Sequence, residues 1–166
     1  MALSTGDRLP AATFRTMTDE GVKELSTDDV FKGKKVVLFA VVGAFTDTCH
    51  NDHLPGYVSQ HDAIKATGVD TIACLAVNDV SVLDAWSIQS RAAGKVLMLS
   101  DGNGDFTSAV GMELDGRAFG IGLRSQRYAA VVEDGVVTDI KVEPNPGAVS
   151  VAGAALMCGL QPVADA

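Results

Sequence analysis

The chain is short of most residues that commit a protein early to a class. Cysteine occurs three times in 166 residues, at Cys49, Cys74 and Cys158, and no two of these form a Cys-x-x-Cys pair. So sparse and odd a set excludes a secreted disulfide scaffold, a zinc ribbon and a dithiol thioredoxin motif. Basic residues are outnumbered, 13 against 21 acidic ones, for a formal net charge of −8. An acidic surface repels phosphate backbones and anionic lipid, so neither nucleic acid nor a membrane surface is an expected partner. The longest fully apolar run, Val36 to Val42, falls far short of the roughly 20 residues that span a bilayer. The opening Met-Ala-Leu-Ser-Thr-Gly-Asp-Arg has no basic segment followed by an apolar one. These absences predict a soluble, cytoplasmic protein of a reducing compartment.

What is present is an ordinary globular balance, 47% hydrophobic and 20% charged. No low-complexity stretch, repeat or linker divides it, so residues 1–166 are expected to form a single domain. A chain of this length buries about 70% of its unfolded surface and needs no disulfide or metal for its core. The first thirty residues alternate around Asp19-Glu20-Gly21 and predict an N-terminal β-hairpin extension. Val36–Val42 and Thr71–Val77 are uninterrupted β-branched and aliphatic runs, as in strands buried on both faces. Between them Leu54, Tyr57, Val58, His61 and Ile64 form one stripe of an amphipathic helix, implying a right-handed strand–helix–strand unit with parallel strands. A second helix is predicted from Val80 to Ala93, with Leu83 and Trp86 inward and Gly94 as its stop.

Val96–Leu99 reads as a short strand before the Asp101-Gly102-Asn103-Gly104 turn. Tyr128–Glu133 and Val136–Val142 flank Asp134-Gly135, a strong hairpin signal. Ala148–Leu160 is predicted as a closing helix. Parallel strands followed by an antiparallel hairpin describe an α/β protein with a central mixed β-sheet flanked by helices. A thioredoxin-like fold fits that order, and the pattern alone leaves other α/β folds open.

The chemistry gathers where the first buried strand ends, in Val42-Gly43-Ala44-Phe45-Thr46-Asp47-Thr48-Cys49-His50-Asn51-Asp52-His53-Leu54-Pro55-Gly56. Ligands of open α/β sheets bind beyond the carboxyl ends of the strands. Cys49 stands there, where the predicted helix begins, and unpaired N–H groups with a partial positive charge favour thiolate over thiol. Thr46 can direct its hydroxyl at the sulfur or at an oxygen bound to it.

This segment resembles the peroxiredoxin signature Pro-x-x-x-Thr-x-x-Cys, and most closely that of the type-5 subfamily, which continues into His-Leu-Pro-Gly. The similarity extends to Val77-Asn78-Asp79, Trp86, Leu99 through Phe106, and Arg124-Ser125-Gln126-Arg127-Tyr128. It implies a thioredoxin-like fold and a cofactor-free, thiol-dependent peroxidase acting on hydrogen peroxide and alkyl hydroperoxides. By position it makes Cys49 the peroxidatic nucleophile and Arg127 the cation that stabilises the thiolate and polarises the O–O bond. It makes Thr46 a hydrogen-bond partner of the peroxide oxygens, with Gly43 and the backbone N–H groups of Thr48 and Cys49 around the substrate. Attack on O–O needs a thiolate and donors where charge grows on the leaving oxygen, and a guanidinium stays charged at any working pH. The product is a sulfenic acid that a thiol must reduce.

Two positions depart from the signature. The proline seven residues before the cysteine is Val42, and the one two residues before it is Asp47, whose place just ahead of a helix suits a capping carboxylate. These departures keep a second reading open: a catalytically degenerate member of the fold serving as a redox sensor or binding protein. A lone cysteine is ordinarily a small buried hydrophobe, and Cys74 and Cys158, amid apolar neighbours, read that way. His61 reads as a core-edge histidine. Cys49-His50-x-x-His53 offers metal-ligating types, but no fourth ligand is evident and no metal is expected. Gly120-Ile121-Gly122 lacks the strand–helix context of a nucleotide loop.

Some type-5 members carry a resolving cysteine where Val151 stands. Its absence predicts a one-cysteine cycle reduced by glutathione with glutaredoxin, or else by thioredoxin. The resemblance also implies a homodimer, with the loops carrying Phe45 and Phe119 meeting across a two-fold axis.

Overall fold

The computed structural model describes residues 1–160. Its centre is a seven-stranded mixed sheet ordered β2-β1-β5-β4-β3-β8-β9. The strands are β1 (Thr13–Thr18), β2 (Gly21–Ser26), β3 (Lys35–Ala40), β4 (Thr71–Ala76), β5 (Leu97–Ser100), β8 (Tyr128–Glu133) and β9 (Val136–Val142). Strands β3, β4 and β5 run parallel, while β8 lies antiparallel to β3 and β9 antiparallel to β8. A separate pair, β6 (Glu113–Asp115) and β7 (Leu123–Ser125), forms a two-stranded ribbon. This is the thioredoxin-like α/β fold with helices against a mixed sheet. The N-terminal hairpin is less an extension than expected, because β1 joins the central sheet beside β5, pairing Arg15 with Ser100.

Strand β3 shows why the centre folds as it does. Its residues alternate between two apolar clusters, so Val37 and Phe39 enter one and Val36, Leu38 and Ala40 the other. Both faces are buried, and each such aliphatic or aromatic side chain contributes about 1.5–3 kcal/mol by leaving water. The first cluster also contains Cys49, Leu54, Tyr57, Leu83 and Trp86. The second gathers Phe14, Phe31 and Phe106, with α1 (Thr27–Phe31) contributing Val30 and Phe31. At the far end of the sheet Asp134 and Gly135 take φ of 49° and 79°, the left-handed pair that a two-residue hairpin turn requires.

The helices depart most from expectation. The crossover between β3 and β4 is not one helix. It is a π-helical turn at Cys49–His53, then α2 (Leu54–Ser59) and α3 (His61–Ala66), parted at Gln60 with φ −99° and ψ 12°. The predicted stripe survives the break: Leu54, Tyr57 and Ile64 are buried. Helix α4 (Val80–Gln89) starts at Asp79, whose carboxylate accepts the Val82 N–H at 3.0 Å. It stops before the expected Gly94, because Arg91 turns to φ 57° and the Ala92 N–H reaches back to the Ser87 carbonyl.

A short helix not foreseen, α5 (Asp105–Ala109), follows the Asp101 turn. The buried Asp101 carboxylate accepts the N–H groups of Phe106 and Thr107 at 3.1 and 2.8 Å. The closing helix shrinks to α6 (Ala154–Met157). Residues 148–153 are irregular instead, because the N–H groups of Ser150, Val151 and Ala152 bond the side chain of Glu143, just past β9. Among the described residues, no helix is long and apolar enough to cross a membrane.

Candidate active site

The chain leaves β3 with the Val41 N–H still bonded to the Leu75 carbonyl, then turns sharply. Asn78, just past β4, fixes that turn by accepting the Ala44 N–H through its side chain at 2.9 Å. Phe45 sits at φ 62°, a conformation that costs a bulky residue about 1–3 kcal/mol and persists only where the surroundings enforce it. The helix then opens at Asp47, so the N–H groups of its first turn, Thr48 and Cys49 among them, have no earlier helical carbonyl to bond. The π-helical turn brings the Leu54 N–H onto the Cys49 carbonyl and leaves Cys49 and His53 buried on one side.

Arg127 meets them from the first residue before β8. It is 1% exposed, yet none of the ion pairs among the described residues involves it. Three of its five N–H donors are committed. Nη2 donates to Cys49 Sγ at 2.9 Å, Nη1 meets His53 Nδ1 at 2.9 Å, and Nε donates to the Pro146 carbonyl at 3.0 Å. His53 Nε2 lies 3.0 Å from the Ala152 carbonyl, which can only accept. The proton therefore resides on Nε2, and Nδ1 is free to accept from Arg127. Burial, then the Arg127 charge, push His53 down from 6.5 to about 3, so it is neutral at working pH. A buried guanidinium with a neutral imidazole and a carbonyl as its other partners lacks a counter-charge. The sulfur is the contact that can supply one.

Of the expected site residues, the structure brings Cys49 and Arg127 into direct contact. Thr46 Oγ1 donates to the Gly43 carbonyl at 2.6 Å rather than to the sulfur. Its lone pairs stay available, so it is set to accept a hydrogen bond and not to donate one. Gly43 is buried, and a Cβ there would lie 2.7 Å from Arg124 Nη1, too close for any side chain without displacing that guanidinium. Arg124 belongs to the separate ribbon, with Nε on the Ile121 carbonyl at 2.9 Å. It lies on a different strand from the one that Arg127 precedes. The Thr48 hydroxyl donates to the Gly147 carbonyl at 2.9 Å.

The two departures from the signature are accommodated. Val42 packs half-buried against the apolar cluster around Cys49. Asp47 does not cap the helix: it is exposed, and its carboxylate accepts from Asn51 Nδ2 at 2.8 Å, one turn on. His50 accepts the indole N–H of Trp86 on Nδ1 at 3.0 Å. Among the described residues no group of three His, Cys, Asp or Glu side chains could hold a metal ion. Cys74 and Cys158 are free thiols, both pushed up by burial, Cys158 to about 11.

The sequence reading missed two residues of this centre. The sequence marks His53 only through an unused metal pattern and the His-Leu-Pro-Gly similarity, and its burial between Arg127 and Ala152 shows what it does. Glu143 carried no signal in a turn-rich Glu-Pro-Asn-Pro-Gly stretch. It is nevertheless 5% exposed and accepts N–H groups from Ser150, Val151 and Ala152 and the Ser150 hydroxyl.

The Redoxin family profile matches residues 4–156. This chain belongs to the peroxiredoxin family. It is 46% identical to a reduced Prx3 of Vibrio vulnificus solved with hydrogen peroxide, with a TM-score of 0.89 over 95% of this chain and 98% of that one. It is 42% identical over 152 residues to a peroxiredoxin of Synechocystis, covering 86% of this chain and 80% of that one. It is 43% identical over 146 residues to the chloroplastic peroxiredoxin-2E of Arabidopsis thaliana, spanning 86% of this chain and 62% of the plant protein. The peroxiredoxin signature thus overlies the Cys49–Arg127 contact that the fold assembles.

Proposed function

We propose that this peroxiredoxin is a thiol-dependent peroxidase with Cys49 as nucleophile. The observation that carries the reading is the Arg127 Nη2 contact on Cys49 Sγ at 2.9 Å, from a buried guanidinium without a carboxylate partner. In that setting the thiolate supplies the missing counter-charge. The sulfur attacks the nearer oxygen of a hydroperoxide, an S–O bond forms and the O–O bond breaks. The departing oxygen takes up a proton and leaves as water or an alcohol. Arg127 and the N–H groups of the first helical turn are the donors for the charge growing on that oxygen. Thr46, its own proton committed to Gly43, accepts from the peroxide O–H. Cys49 is fully buried, which favours hydrogen peroxide and compact alkyl hydroperoxides.

The resulting sulfenic acid is reduced by an external thiol. Glutathione attacks sulfur, water leaves, and a second thiol releases the mixed disulfide to restore Cys49. Val151 offers no thiol, Cys74 lies inside β4, and burial holds both remaining thiols in their protonated form. These features support a glutathione-dependent, one-cysteine cycle with glutaredoxin, thioredoxin being the other donor. Phe119 at 83% and Phe45 at 43% exposure supply apolar surface for a homodimer, and light scattering of a 17.2 kDa particle at micromolar concentration would count against it.

Peroxide consumption by the pure protein with dithiothreitol tests the central claim. Consumption no faster than that of a Cys49→Ser variant removes it and leaves a binding or sensing protein. For the reductant, mass spectrometry under non-reducing conditions after one equivalent of peroxide and excess glutathione should show Cys49 glutathionylated. A Cys49–Cys74 or Cys49–Cys158 disulfide as main product overturns the one-cysteine cycle.

A further inference from the structure

We propose that Glu143 is a positioning residue of the peroxidatic centre, acting through residues 144–152, a strap it bends back over Cys49. Glu143 stands just past β9 with its N–H on the Arg127 carbonyl at 2.9 Å, opposite the residue it serves. Its side chain turns away from solvent. One oxygen accepts the N–H groups of Ser150, Val151 and Ala152 at 2.6, 2.6 and 2.8 Å, and the other the Ser150 hydroxyl at 2.6 Å. Among the described residues no cation pairs with it. Burial pushes the carboxyl up, but the Ser150 hydroxyl and the three N–H groups outweigh it and hold the group below its usual range.

A loop on a protein surface can give its N–H groups to water. Here three successive ones converge on one carboxylate, and that convergence sets where the neighbouring carbonyls point. Three of those carbonyls reach the centre. Pro146 takes the Nε–H of Arg127, Gly147 the hydroxyl of Thr48, and Ala152 the Nε2–H of His53. The Ala152 carbonyl also accepts the Tyr57 hydroxyl at 2.7 Å. With Nε and Nη1 tied, the Arg127 fork can present only Nη2 to the sulfur. Glu143 touches none of the reacting atoms; its effect passes through Arg127 and His53.

The test must separate positioning from simple loop stability. The pH midpoint of Cys49 alkylation by iodoacetamide, followed by mass spectrometry, reads the sulfur's charge without any peroxide. In Glu143→Ala the midpoint should rise towards that of Arg127→Gln. The hydrogen peroxide rate constant, by stopped flow, should fall about 10- to 100-fold, the loss expected when a reacting geometry slips by about an ångström. Glu143→Gln keeps one carbonyl oxygen for the three N–H groups, so it should show smaller changes of the same sign. It carries the test if the alanine variant does not fold.

In the Arg127→Gln background either substitution should add less than about twofold, because residues acting as one unit are non-additive. A wild-type alkylation midpoint in folded Glu143 variants that merely melt earlier overturns the proposal. Additive losses with Arg127→Gln also overturn it. The kinetic arm rests on the peroxidase reading and the alkylation arm does not, so failure of one is distinguishable from failure of the other.

Discussion

Two regions border Cys49 and are held by different physics. On one side β3 and β4 pair in parallel from Val36–Thr71 to Ala40–Leu75, with apolar side chains filling both faces. That order is non-directional at the side chains, and any residue of the right shape and volume satisfies it. On the other side residues 143–152 have no regular element, and a handful of aimed hydrogen bonds on Glu143, Pro146, Gly147 and Ala152 fix them. The first region supplies rigidity and the second supplies direction. A substitution in the first should be felt as lost stability, and one in the second as altered chemistry in a protein that still folds.

The largest effect should fall where direction matters most. Arg127→Gln removes the donor on the sulfur, and loss of a comparable donor costs about 10²–10³ in rate. Stopped-flow measurements should show that loss with the rate-versus-pH midpoint moved upward, while Arg124→Gln, in the separate ribbon, loses far less. Equal losses at the two arginines would erase the distinction between them. Leu38→Ala cuts into the strand side, on the sheet face away from Cys49. It should cost about 3 kcal/mol of stability in chemical denaturation, with the alkylation midpoint of the folded fraction unmoved.

Acid sharpens the contrast more gently. His53 is held at about 3 against 6.5 unfolded, so from pH 6.5 downward the unfolded chain takes up a proton that the folded one refuses. Its contribution to stability is complete above pH 6.5 and is lost as pH falls towards 3. Melting temperature should therefore drop over that window, and His53→Gln should flatten the drop. An unchanged pH slope in that variant would place the acid sensitivity elsewhere. The smallest effect belongs to Asp47→Asn: the carboxylate is exposed and bonded to Asn51, and the peroxide rate should change by less than about twofold, as for most surface positions.

The same division decided what the sequence disclosed. Strands β3, β4, β8 and β9 were legible because continuous apolar runs and an Asp-Gly turn are local signals, and Cys49, Thr46 and Arg127 because they sit in a recognisable motif. The strap was not legible. Ala148 through Leu160 is rich in alanine and other small residues that read as a helix, but the Ser150, Val151 and Ala152 N–H groups are taken by the Glu143 carboxylate just past β9. Nothing local in Glu143-Pro144 marks a buried acid. His53 was visible only as one residue of an unused metal pattern, since its role depends on partners 74 and 99 residues away.

Those sequence separations give the Cys49 centre an order of manufacture. The cysteine is translated 78 residues before Arg127, and its neighbour Thr48 is translated 99 residues before the Gly147 carbonyl that holds it. At about 5–20 residues per second, a growing chain carries Cys49 for roughly 5–20 s before the strap exists. Throughout that interval neither Arg127 nor His53 has the strap carbonyl that orients it. The nucleophile is armed only by the return of a distant segment, so its reactivity is itself a sign that the chain has been made and folded past Ala152.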